Sequence, residues 1–119
     1  MTHIHTRVRI YFDTQLAIGP GRIELLEGVL RTGSLAQAAR GMKMSYRRAW
    51  LLMQSLNDSL ASPASVAAKG GRRGGGATVT TLGRDLIRTY RDFETRTARE
   101  GRRRFALFAP AARRRGARG

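Results

Sequence analysis

Apolar and polar residues alternate from Arg7 to Phe12. Val8, Ile10 and Phe12 point one way and Arg7, Arg9 and Tyr11 the other, which predicts a half-buried strand. Ala-Ile-Gly-Pro-Gly at 17–21 reads as a turn, with Pro20 suited to the start of a helix. From about Gly21 to Thr32 the spacing becomes helical. Ile23, Leu26 and Leu30 share one face, and Leu25 and Val29 form a second apolar strip. Gly33 is placed to end this helix as a left-handed cap. Ser34 then caps a short second helix, about Leu35 to Arg40. Its Leu35, Ala38 and Ala39 face inward, and alanines let a neighbouring helix approach closely. Gly41 is expected to end it.

A third helix opens on the cap Ser45 and runs from about Tyr46 to Leu60. Tyr46, Ala49, Trp50, Met53, Leu56 and Asn57 lie on one side. Arg47, Arg48, Leu51, Gln54 and Ser55 lie on the other. Residues 58–65 form a link. Val66–Lys69 and Ala77–Thr80 read as two short strands flanking Gly-Gly-Arg-Arg-Gly-Gly-Gly at 70–76, a hairpin. Thr80 caps a last helix through Glu100, with Leu86, Ile87, Tyr90 and Phe93 as its apolar face. Beyond Arg102 no period is sustained, which predicts a basic, largely disordered tail. The expected division is a flexible N-terminus at 1–6, one domain at 7–101 and a tail at 102–119. The order predicts a mainly α fold with a small β component: strand, three helices, β-hairpin wing and long C-terminal helix. That is a winged helix-turn-helix.

In such a fold the break at Gly41–Met44 sets the third helix across the second. Its N-terminus then faces outward, where side chains of the first turns reach base edges in a major groove. Arginine suits that place because its fork matches guanine O6 and N7. The DNA-contact candidates before the wing are Ser34, Lys43, Ser45, Tyr46, Arg47, Arg48 and Leu51. Tyr46 has a ring that can pack and a hydroxyl that can reach a phosphate. Leu51 is either a partner for a thymine methyl or a tolerated exposed leucine. Trp50 is expected as a core indole on the Met53 face, with stacking on a base as the other option. In the wing, glycines let the backbone lie close to a sugar-phosphate strand, and Lys69, Arg72 and Arg73 reach phosphates or the minor groove.

Charge strengthens this picture. The chain has 119 residues, 23 Lys+Arg and 8 Asp+Glu, a net charge of +15. An excess of that size points to a polyanionic partner. It is concentrated at 43–81 and at 102–119, and Asp58 is the one acidic residue among 43–81. There is no cysteine, so disulfides and thiolate metal sites are excluded. No apolar run approaches a membrane span, and the N-terminus has no apolar signal segment, so a cytoplasmic, nucleoid-associated protein is expected.

Gly-Pro-Gly-Arg-Ile-Glu-Leu-Leu at 19–26, Ser-Tyr-Arg-Arg-Ala-Trp at 45–50, the Gly-rich wing and Thr-x-x-Gly at 80–83 also carry a family resemblance. Over about residues 7–100 the chain resembles the DNA-binding domain of the molybdate-responsive transcription regulators, the ModE family, and in particular stand-alone winged-helix relatives. More distantly it is similar to the N-terminal domain of LysR-type regulators. The resemblance implies a homodimeric repressor or activator. It implies that Ser45, Tyr46, Arg47 and Arg48 start the recognition helix, with Ala49 and Trp50 packing. Full-length members carry C-terminal molybdate-binding domains, for which this chain leaves no room, so no small-molecule effector is expected.

Other chemistry is weaker. His3 and His5 near the terminus lack a third ligand, so no metal site is expected. The glycine-rich tip is no Walker A loop, since it lacks the Gly-Lys-Ser/Thr ending. Asp85, Asp92 and Glu94 are spaced to pair with Arg88, Arg96 and Arg99 on a helix surface. No nucleophile–base pair or carboxylate pair stands out, so neither an enzyme nor a cofactor is expected. The leading reading is a sequence-specific regulator of double-stranded DNA, acting as a homodimer. The alternatives are a sequence-tolerant architectural DNA binder and a DNA-tethered interaction module.

Overall fold

The computed structural model describes residues 2–68 and 76–110. They form two compact units, one spanning Arg9–Tyr90 and the other joining the residues up to Val8 with those from Arg91 onward. The larger unit begins with an antiparallel hairpin, β1 (Ile10–Phe12) and β2 (Gln15–Ile18). Helices α1 (Pro20–Thr32), α2 (Leu35–Gly41) and α3 (Tyr46–Ser59) follow. Next come β3 (Ser65–Ala67) and β4 (Ala77–Val79), then the long helix α4 (Thr81–Phe105) and a short 3-10 turn at Ala106–Phe108. This is the winged helix-turn-helix that the pattern predicts.

The first strand is shorter than the alternation suggests. Ile10 pairs with Ile18 and Tyr11 with Leu16, so the register slips between them. A bulge of this kind reverses the faces. Val8 is accordingly buried while Phe12 is exposed. The segment read as a turn at 17–21 is in part β2. The true turn is at Asp13–Thr14, where Asp13 adopts φ 60°. An aspartate tolerates that left-handed conformation better than most residues, but it gives a weaker signal than glycine.

Local capping falls where the sequence places it. Pro20 opens α1, and Gly33 closes it at φ 71° with its N–H donating to the Val29 carbonyl. Ser34 Oγ accepts from the Gln37 N–H, and Ser45 Oγ accepts from the Arg48 N–H. Thr80 Oγ1 accepts from the Gly83 N–H at the head of α4. The end of α2 differs. Gly41 stays helical, and Lys43 takes the left-handed position at φ 57°.

The core of the larger unit is built on α1, which packs against α2, α3 and β4. Gly28 is what lets α2 close on it, because a Cβ there would lie 2.8 Å from that of Ala38. With partners on several sides, α1 buries more than one face. Leu25 and Val29 are 0% and 1% exposed, alongside Ile23 and Leu26, whereas Leu30 is exposed. The second apolar strip is therefore core of this chain. Glutamate at Leu25 and Val29 would place carboxylates there without partners and unfold the chain.

The basic run after Glu100 is helical, contrary to the expected tail from Arg102. Arg103 and Arg104 both hydrogen-bond Glu100. They hold its carboxyl down to about 2 from an ordinary 4.5. Cations also suit a helix C-terminus, where carbonyls lack partners. These two effects carry α4 to Phe105. Earlier on α4, Asp85 pairs with Arg88 and Asp92 with Arg96, as the spacing predicts. Glu94 pairs with Arg91, one turn before it, instead of Arg99. In the smaller unit Thr2 Oγ1 donates to the Pro110 carbonyl, and Thr6 lies against Gly101. Arg113, Arg114 and Arg115 lie outside the described residues.

Candidate nucleic-acid interface

The turn before α3 is held by backbone bonds. The Lys43 N–H donates to the Arg40 carbonyl and the Met44 N–H to the Ala39 carbonyl. Ser45 then enters extended and caps the helix. Its hydroxyl takes up an amide that would otherwise lack a partner, so the first turn of α3 is held in shape without another element covering it. Tyr46, Arg47 and Arg48 consequently stand exposed at the head of the helix. No acidic residue lies in that turn.

The buried side of α3 is narrow, consisting of Ala49, Met53 and Leu56. Opposite them, Arg47, Leu51 and Gln54 follow one another along the outer face, all exposed. The two edges between these faces differ in chemistry. On one edge stand Arg48, Leu52 and Ser55. Ser55 Oγ accepts from Arg22 Nη2 of α1 at 3.2 Å. Arg22 and Arg48 line a depression of about 360 Å³ with Ser45, Arg47, Leu51 and Leu52. The Nε of Arg22 is enclosed with no hydrogen-bond partner among the described residues.

On the other edge stand Tyr46 and Trp50, one helical turn apart. Trp50 is 46% exposed and Tyr46 52%. The indole is thus not a core group, contrary to the expectation from its nearness to Met53. Position 50 falls just beyond the narrow buried side, and the wing strands flank the ring rather than cover it. Between α3 and the wing runs a groove of about 210 Å³. Tyr46, Trp50 and Gln54 form one wall, Val66, Ala67 and Ala77 the other, and Leu35 and Met53 contribute to its lining.

Asn57 fixes the width of that groove. Its Oδ1 accepts from the Ala64 and Ser65 N–H groups, and its Nδ2 donates to the Ser65 carbonyl. On the far side the wing is tied to the α1–α2 junction, where the Ala77 N–H donates to the Gly33 carbonyl. Asn57, placed by periodicity on the packing side, is thus a strap between α3 and β3.

The proposed contact residues separate into groups. Tyr46, Arg47, Arg48 and Leu51 share the outward part of α3, with Lys43 exposed in the turn before it. Both options for Leu51 stand, since it is exposed beside Arg47. Ser34 and Ser45 spend their side-chain oxygens on helix caps. Lys69, Arg72 and Arg73 lie outside the described residues. Arg22 carried no signal in the sequence, because only the crossing of α1 and α3 brings it to Ser55. Gln54 was visible on the polar side but had nothing to mark it until the groove was seen.

Known proteins resemble this chain in sequence and in fold. Over 86 residues the chain is 42% identical to the molybdenum-pterin-binding protein MopB of Rhodobacter capsulatus, covering 72% of this chain and 32% of that protein. It is 36% identical over 93 residues to the molybdenum transport protein ModE of Azotobacter vinelandii, covering 78% and 34%. The DNA-binding transcriptional dual regulator ModE of Escherichia coli K12 is 36% identical over 76 residues, covering 64% and 29%. This chain is homologous to one region of the ModE-type regulators. It spans about a third of the length of the curated relatives it matches. No protein-family model matches it. Among solved structures, the DNA-binding domain in the CbnR–DNA complex, a LysR-type domain, superposes with a TM-score of 0.59 at 20% identity. That match covers 75% of this chain and 97% of the other, and it establishes the shared fold. No described helix is long and apolar enough to cross a membrane.

Proposed function

We propose that this protein is a sequence-specific regulator of transcription that binds double-stranded DNA. Helix α3 lies in the major groove, and the wing lies on the backbone or in the adjoining minor groove. The observation that carries the reading is the exposed head of α3. Among the described residues, Arg47 and Arg48 stand free of acidic partners on a capped helix whose other side is anchored in the core. The homology to ModE-type regulators supports the same conclusion.

Arg47, on the outer face, is the base-reading arginine. Arg48 and Arg22 serve the phosphates beside it, with Lys43 at the preceding turn. Lys69, Arg72 and Arg73 act on phosphates from the wing. The protein works as a homodimer in the cytoplasm, on the nucleoid, and no small-molecule effector enters this reading. A single recognition helix and wing bury only about 600–1,000 Å² on DNA, and a twofold pair doubles that and reads a palindrome. With Leu25 and Val29 in the core, the apolar surface available for the twofold contact includes Phe93, Phe105, Leu107 and Phe108, all exposed.

Selection of duplexes from a random library, followed by a salt titration of the winner against random DNA, tests this. The expected result is an enriched palindromic sequence whose advantage over random DNA survives added salt. An architectural binder would instead give salt-sensitive affinity with no enriched sequence.

A further inference from the structure

We infer that the α3 wall of the groove beside the wing reads an A·T base pair, with Tyr46 and Trp50 against the thymine methyl and Gln54 on the adenine. This rests on the proposed placement of α3 in a major groove and adds a second reading element beside Arg47.

Three observations carry it. First, Trp50 leaves nearly half of its surface in solvent although Ala49, one residue before it, and Met53, three residues after it, belong to the core. Tyr46 stands one turn before it, and Val66 faces across the groove, itself exposed. Tyr46 and Trp50 thus form an apolar edge on a helix that also carries Arg47 and Arg48. Second, Gln54 shares that wall, one turn beyond Trp50, and its amide has no partner among the described residues. Third, the groove is fixed before any ligand arrives, because Asn57 straps α3 to β3 and Gly33 holds Ala77.

Base-pair chemistry then selects the occupant. In the major groove only an A·T pair offers a methyl group, and its adenine offers the N7 acceptor and N6 donor that a glutamine amide matches with two hydrogen bonds. The order of side chains around α3 suits that edge. A thymine methyl lies toward its own backbone strand, and the strand that separates the major from the minor groove passes between a recognition helix and its wing. Trp50 and Tyr46 are therefore nearest that strand. Gln54 comes next around the helix and Arg47 after it. A G·C pair at this position would set the unmethylated edge of cytosine against the indole. It would also offer guanine O6, an acceptor, where the amide oxygen of Gln54 needs a donor.

The test uses the whole chain, the duplex enriched by selection, and the same duplex with deoxyuridine replacing thymidine at one A·T pair at a time. Removing one buried methyl is expected to weaken wild-type binding about four-fold at one pair per half-site. Trp50→Ala should abolish that penalty there and nowhere else, and Gln54→Ala should abolish sensitivity to 7-deaza-adenine at the same pair. Trp50 is the chain's single tryptophan. Its emission should therefore shift to shorter wavelength on the thymidine duplex and less so on the deoxyuridine one. That readout needs no substitution, so a Trp50→Ala chain that fails to fold leaves the test intact.

An unchanged deoxyuridine penalty in Trp50→Ala, or an emission blind to the methyl, overturns the inference alone. Equal weakening of Trp50→Ala on every sequence does the same, since it assigns the ring to the backbone. If no sequence is enriched at all, the proposed function falls, and this inference falls with it.

Discussion

The two edges of α3 are flanked alike and built for different work. One edge, carrying Arg48, Leu52 and Ser55, faces α1 and gathers charge, with Arg22 tied to Ser55. The other, carrying Tyr46 and Trp50, faces the wing and gathers apolar surface. A phosphate is the same on every nucleotide, so a cationic edge holds DNA without choosing a sequence. An apolar wall is useful only where the nucleic acid presents a methyl or a ring. The contrast separates affinity from selectivity on one helix, with Arg47 on the face between.

The largest effect expected from breaking the comparison is at Asn57. Asn57→Ala leaves the Ala64 and Ser65 amides and the Ser65 carbonyl without their partner, all three on buried residues. A loss of about 3 kcal/mol in stability is expected, readable by urea unfolding. The surviving folded protein should lose discrimination at the groove while keeping its salt dependence, because the strap lies on the wing side only.

Arg47→Ala comes next. A lost bidentate contact costs about 2 kcal/mol of specific binding and relaxes preference at one base pair. Competition between selected and random duplexes measures it. An unchanged ratio would move the base-reading role away from the outer face.

Ser45→Ala should cost about 1 kcal/mol in stability, as the loss of a helix cap does. Since Ser45 orders the turn from which both edges start, binding to selected and random DNA should weaken together. A change confined to one class of duplex would mean that the serine touches DNA itself.

The smallest effect per residue is on the basic edge. Arg22→Ala and Arg48→Ala should each flatten the dependence of log K on log salt by roughly 0.9 and leave sequence preference intact. If Arg22→Ala leaves the slope unaltered, its half-buried side chain serves only to pin α1 to α3.

Much of this was legible from residue order. As helix starts and caps, Pro20, Gly33, Ser34, Ser45 and Thr80 act within a few residues of themselves, through backbone angles and short hydrogen bonds. Nothing distant has to be known to place them. The same locality made the exposed run Tyr46–Arg48 readable, since a cap fixes where a helix begins and the spacing fixes what faces out.

What needed the folded chain depends on neighbours far away in sequence. The hairpin β1–β2 turns on Asp13 and carries a bulge, and neither leaves a distinct pattern in so short a stretch. Leu25 and Val29 are buried because α1 is covered from several directions, a number that periodicity does not contain. Arg103 and Arg104 lie within α4, where each pairs with Glu100 one turn before it. Trp50 shows the limit most plainly. Its angle on α3 was correct, but burial also requires a partner at that angle, and whether the wing covers the indole or stands beside it is settled by Asn57 and Gly33 holding β3 and β4 where they are. Sequence by itself determined the helices, where each one starts and the charge they present. Tertiary packing decided which of their edges stayed open, because exposure belongs to a pair of surfaces and not to a single helix.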